Sequence, residues 1–312
     1  MSTPITLVGA APVSDGERRH RLRLATGYVL AVLLVLGILA YGFDFYLLDA
    51  AQRPFSPKYE LLKPAGAIGI KLGYLGTLMF FAIFLYPLRK HWSWLARQGN
   101  SRHWLDIHVL LGLMAPFVIA LHSSFKFRGI AGMAFWIMAA VAASGVIGRY
   151  LYAQIPRKLS TAELSLKESR DLQAQLTQRL AAQRSLSPRH LEALFRLPDP
   201  RRVHDYPAVV ALGHMLALDL ARPFRIAGLR RRTLSVGESF LTLGGFLSTR
   251  HRELEQVIKA ARQQAALSKR LLFLSRSQQV FHLWHVVHKP FSYSFAVLAV
   301  VHIAVVLLLG YR

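Results

Sequence analysis

Two stretches of the chain decide its fold: His108-Val-Leu-Leu-Gly-Leu-Met-Ala-Pro-Phe-Val-Ile-Ala-Leu-His122 and His288-Lys-Pro-Phe-Ser-Tyr-Ser-Phe-Ala-Val-Leu-Ala-Val-Val-His302. Each places two histidines 14 positions apart within a largely apolar run. At 3.6 residues per turn, 14 residues is close to four full turns, so both imidazoles of a pair leave nearly the same helix face. They are separated by about 21 Å along the axis at a rise of roughly 1.5 Å per residue. Two such helices running parallel would set His108 opposite His288 at one depth and His122 opposite His302 at another.

The rest of the chain supplies a membrane setting for that pattern. Of 312 residues, 53% are hydrophobic, and mean hydropathy is +0.32. Long apolar runs produce that value, which predicts an all-α, polytopic membrane helical bundle. Five spans are expected, at about Thr26–Leu48, Ala65–Leu88, Trp104–Ser124, Ile130–Tyr152 and Val280–Leu309. The first has no small-residue cleavage site and is too long for a signal-peptide core, so it is expected to be retained. The chain has no cysteine, which excludes covalent c-type haem, thiolate-held iron–sulfur clusters and disulfides on these residues.

A net charge of +23 raises the question of nucleic acid, and the distribution of the charge argues against it. Basic residues alternate with the spans. Arg18, Arg19, Arg21 and Arg23 precede the first span, and Arg89, Lys90, Arg97 and Arg102 lie between the second and third with no acid among them. The segment after the fourth span holds 22 Lys and Arg against 10 Asp and Glu. The positive-inside rule then predicts a cytoplasmic N-terminus, an external C-terminus at Tyr311-Arg312, and residence in the inner (plasma) membrane. The expected organisation is a basic cytoplasmic tail over 1–25, spans one to four over 26–154, a helical cytoplasmic insertion over 155–278, and span five over 279–312. Spans three and five both run from inside to outside, as the histidine pairing requires.

Within the insertion, Ser160-Thr161-Ala-Glu163 reads as a helix cap with a polar helix to about Gln183. Ser187-Pro188 opens a short helix to about Phe195, which Pro198-Asp199-Pro200 ends. Tyr206–Leu220 reads as a buried or interfacial helix, too short to span. Arg250–Ser275 reads as a final helix leading into span five, where Pro290 is expected to kink the first turns.

Ionisable groups inside a membrane are costly and mark function, and neutral imidazole is a preferred metal ligand. Four histidines at matched spacing supply two pairs of axial imidazoles, the means by which a helical bundle holds two non-covalent b-type haems stacked across a membrane. His108, His122, His288 and His302 are the expected ligands. His282 and His285 extend a His-x-x-His-x-x-His run ending at His288 and leave a transition-metal cluster open as a reading. Haem propionates need donors or cations. Arg149, Arg157 and Lys289 are the candidates at the inner site, and Lys126, Arg128 and Ser123 (with its neighbour Ser124) at the outer one. Gly112, Gly145 and Gly148 offer close approach. Asp44 and Lys71, both near outer span ends, are candidates to pair with each other.

This pattern resembles the transmembrane domain of the ferric reductase and NADPH oxidase family. There the third and fifth spans run parallel and each carries two haem-ligating histidines, and a cytoplasmic loop between spans four and five meets the electron-donating domain. The resemblance covers spans two to five and maps onto His108 with His122 and His288 with His302. It implies transmembrane electron transfer, with this chain as the membrane subunit of a larger redox complex whose partner docks at the basic insertion or the outer face. No Gly-rich dinucleotide fingerprint is present, so flavin or nicotinamide chemistry is not expected of these residues. Two other readings stay open. One is a cytochrome b subunit with its own quinone site, acting as a quinol dehydrogenase or quinone reductase. The other is a histidine-based metal transporter or sensor. Membrane lipid is an expected partner and nucleic acid is not.

Overall fold

A computed structural model describes residues 14–155, 178, 203, 206–233, 242–249 and 251–310. The described residues form helices, turns and a short 3-10 segment, with no strand among them. Five helices are long and apolar enough to cross a membrane: Asp15–Tyr41, Tyr59–Leu88, Ser101–His122, Gly129–Gln154 and Leu274–Leu308. The protein is an all-α helical bundle with the apolar spans of an integral membrane protein. The helices expected between Ser160 and Phe195, together with Arg157, Pro198–Pro200 and Tyr311-Arg312, lie outside the described residues.

The chain divides into two compact units, 12–149 with 284–312, and 150–283. The first opens with α1 (Asp15–Tyr41), whose Ser14 cap accepts from the Glu17 amide while Asp15 and Glu17 lie in the first turn, where the helix dipole favours negative charge. Gly42 ends it, and two short helices follow, α2 (Phe43–Leu47) and α3 (Tyr59–Leu62). Next come α4 (Ala67–Leu88), the single turn α5 (Ser93–Ala96), and α6 (Ser101–His122), capped by Asn100 accepting from the Arg102 amide. After α7 (Gly129–Gln154) the chain returns to this unit in α10 (Leu274–Leu308).

The first unit is centred on the α4–α6 contact, with Leu72, Met79, Met114, Ala115, Val118 and Leu121 packed with Val35 of α1, Met138 of α7 and the partly buried Phe295 of α10. Outward, the same helices expose Val29, Leu30, Leu33 and Leu36 on α1, Phe81 on α4, and Val297 and Val300 on α10. So much unpaired apolar surface beside a narrow core is what a lipid-facing bundle needs and what water would penalise. The turn into α7 takes Ser124 and Phe125 to φ of 48° and 60°. Arg53 holds this turn by donating to the carbonyls of Ser124, Leu48 and Tyr46, and the buried Ser124 hydroxyl donates to Leu62.

The structure revises three local expectations. Asp44 pairs with Lys58 at 2.6 Å and not with Lys71, because α2 and α3 fold back until Lys58 reaches both Asp44 and the Tyr41 carbonyl. The fifth span begins at Leu274, earlier than the expected Val280. The apolar helix expected to end near Leu220 runs on through Pro223 as α8 (Ala208–Thr233).

In the second unit α8 packs on α9 (Arg252–Leu272) through Ile226, Leu229, Leu254, Val257, Ile258, Ala260 and Ala261. Residues 242–249 form the turn between them. Gly245 sits at φ 83°, where a Cβ would come within 2.6 Å of the Ala227 carbonyl. Arg230 fixes the turn with a two-armed pair to Glu255 at 2.7 and 2.9 Å and bonds to the carbonyls of Gly245 and Phe246. Burial alone would raise Glu255, but the Arg230 guanidinium and the Thr249 amide hold its carboxyl below the ordinary range.

Candidate functional site

α4 and α6 place the first histidine pair. The His108 ring meets the carbonyl of Ile83 through Nδ1 at 2.9 Å, and His122 meets the carbonyl of Gly69 at 2.8 Å. Each 14-residue step up α6 is matched by a 14-residue step down α4, as antiparallel neighbours demand. A carbonyl can only accept, so in both rings the proton sits on Nδ1 and the Nε2 lone pair is left open. Gly73, one turn beyond Gly69, makes room for the His122 ring: a Cβ there would lie 2.8 Å from its Cε1. The ring of Tyr86 lies 5.2 Å from that of His108.

α7 and α10 place the second pair. The His288 ring meets the Ser144 hydroxyl through Nδ1 at 2.8 Å, while Ser144 gives its own proton to the Val141 carbonyl. Ser144 is therefore the acceptor, and His288 also keeps Nε2 open. Trp284 stacks on the His288 ring at 4.5 Å and 29° and is itself fixed by donation from its indole nitrogen to the Ser144 carbonyl. Gly148 lies under the Trp284 ring, too close for any side chain. The His302 ring makes no hydrogen bond among the described residues.

The helices bring His288 near His108 and His302 near His122, each within electrostatic range. All four rings are half-buried. A Cβ on Gly112 would meet nothing within 4 Å, and one on Gly145 would meet only the His288 ring at 4.0 Å, so the space beside the inner pair is open. Paired imidazoles, three of them with an unprotonated Nε2, and room between helices fit the donor set a bis-histidine haem requires.

The other candidates are distributed differently. Arg149 is engaged by Asp106 at 2.6 Å. Lys126, Arg128 and Lys289 are exposed, and Ser123 bonds back to the Ala120 carbonyl. His282 is exposed, whereas His285 packs edge-on against Trp284 at 4.7 Å. Among the described residues no three His, Cys, Asp or Glu side chains converge where they could hold a metal ion.

Sequence reasoning passed over a polar cluster centred two residues before His108. Asp106 is buried between Arg149 and the His20 ring, 3.2 Å away. His20 stacks on His103 at 3.6 Å, and His103 meets Glu17 at 3.3 Å. A lone acid two residues before a histidine in an apolar helix was the available signal. Gly69, Ile83 and Ser144 had no such signal, because their contribution is a backbone carbonyl or one hydroxyl among many.

No protein-family model matches the chain, and no curated protein or solved structure does.

Proposed function

We propose that the protein carries electrons across a membrane through two b-type haems, His108 and His288 holding the inner and His122 and His302 the outer. The observation that supports this most is the nearness of His108 to His288 and of His122 to His302, with three of the four rings bonded through Nδ1 so that Nε2 is the free donor. When bound, each haem would supply a one-electron iron couple, and the stack would span about 21 Å of the bundle. The chain's own groups do the rest. The Ile83 and Gly69 carbonyls and the Ser144 hydroxyl fix the ring orientations and raise the basicity of the ligating nitrogens. The apolar packing of α4 and α6 keeps the site dry, which tunes potential. Asp106, paired with Arg149, lies two residues before His108 on α6.

In this reading the charge distribution of the connections puts the N-terminus and the 155–278 segment in the cytoplasm of a plasma-membrane protein. That basic segment would receive an acidic redox partner, as in the ferric reductase and NADPH oxidase family that the histidine pattern resembles. The test is a reduced-minus-oxidised spectrum of the purified protein with haem quantified per chain. About two low-spin b haems per chain are expected, and a colourless protein would end the reading.

A further inference from the structure

The second unit contains a cavity that electron transfer does not use. It has a volume of about 440 Å³, lies between α8 and α9, and is open to solvent on one side, with Gln154 and Phe246 among its lining residues. Positions 219, 222, 226 and 230 of α8 fall on one helical face, as do 262, 266, 269 and 270 of α9. The result is five cations, Arg222, Arg230, Arg262, Lys269 and Arg270, around one carboxylate, Asp219.

Asp219 is already committed: Lys269 donates to it at 2.5 Å, Tyr150 at 2.7 Å, and Arg222 pairs with it at 3.2 Å. Lys269 is nearly fully buried, so its charge is built into the wall. Arg230 is committed to Glu255. Arg262 and Arg270 have no acidic partner among the described residues; Arg270 reaches only the Ala153 carbonyl, at 3.3 Å. Arg262 and Arg270 are exposed and, with the half-buried Arg222, line one concavity from two helices, a concentration of positive charge that favours a bound anion. Pro223, Ile226 and Phe246 form an apolar wall beside them, and Phe246 is held edge-on to Phe224 at 5.6 Å.

We infer that this cavity is a binding site for a phosphorylated small molecule, with Arg222, Arg262 and Arg270 taking the phosphate oxygens and Phe246 covering the non-phosphate part. Guanidinium forks match phosphate geometry in pairs, and the volume falls in the range of about 300–1,000 Å³ usual for small-ligand pockets. The shared chemistry is phosphate on an organic body, and its source is either a soluble nucleotide or an anionic lipid headgroup. The site is independent of the histidine pairs.

The test uses the full chain in phosphatidylcholine nanodiscs, with ATP and inorganic pyrophosphate as probes in calorimetric titrations. Arg262→Gln/Arg270→Gln is the test variant. Lys259→Gln is the control, on the same helix but outside the cavity. Saturable binding is expected, weakened about tenfold or more in the double variant and less than about twofold in the control. Adding phosphatidylglycerol to the nanodiscs separates the sources. If the lipid displaces pyrophosphate from the wild type and co-purifies less with the double variant, the ligand is a headgroup; if ATP binding is unaffected, it is a nucleotide. The inference is overturned if neither the probes nor phosphatidylglycerol distinguish the double variant from the wild type, or if Lys259→Gln weakens binding equally. Thermal unfolding of each variant verifies that the fold is intact.

Discussion

The Nδ1 of His122 lies 2.8 Å from the carbonyl of Gly69, and Gly73 leaves the gap on α4 into which that ring fits. The bond fixes which nitrogen carries the proton, and the gap fixes where the ring stands. Gly73→Val should therefore push the ring off its acceptor, since a Cβ would already be 2.8 Å from Cε1. The expected result is loss of about half the haem per chain, with the inner haem retained. Haem quantification alongside a spectrum checks this, and full retention of both haems would refute it.

Ligand substitution should show the same division. His122→Ala or His302→Ala should remove the outer haem and leave the inner, and His108→Ala or His288→Ala should do the reverse. Low-temperature difference spectra and redox titration would resolve the two components. Four single variants that all kept two low-spin haems would show that the ligands lie elsewhere.

Ser144 offers a milder test. Ser144→Ala removes the acceptor of His288 Nδ1 but leaves Trp284 stacked and its bond to the residue 144 carbonyl available. Haem should still bind, with affinity at the inner site reduced about 10- to 100-fold and a shifted midpoint potential. An unchanged potential would mean that Ser144 does not set the His288 orientation.

In the second unit, Arg230 is the side chain on which the 242–249 turn depends. Arg230→Ala leaves Glu255 with only its Thr249 bonds and frees two carbonyls, and should cost about 3 kcal/mol, the bottom of the range for breaking a buried pair because Glu255 is partly exposed. Arg230→Lys should recover little, since one ammonium cannot replace a two-armed fork. Denaturant unfolding of the purified chain measures both.

The same pair predicts a pH dependence. The folded Glu255 carboxyl lies below its ordinary value of 4.5, so the unfolded chain binds a proton first as pH falls. The stabilisation from Glu255 is therefore complete well above pH 4.5 and is lost as pH drops from there through the folded value. Glu255→Gln should be less stable than wild type at neutral pH, and the difference should shrink across that acidic window. A difference independent of pH would show that the Glu255 charge contributes nothing.

The sequence by itself determined the number and placement of the apolar spans and the 14-residue interval within two of them. Both follow from local properties: hydropathy integrated over about 20 residues, and the fixed pitch of an α-helix. Those two facts were enough to nominate His108, His122, His288 and His302. Which groups support the rings was decided only by tertiary structure. The acceptors are the carbonyls of Gly69 and Ile83, which every residue possesses, and they became specific only once α4 packed antiparallel to α6. The same holds for Asp44, whose partner is Lys58 because short helices fold the chain back, and for Arg149, which packing gives to Asp106. It holds again for the cations of α8 and α9, about 40 residues apart in sequence, which read as scattered positive charge until helix packing brings them to the lining of one cleft.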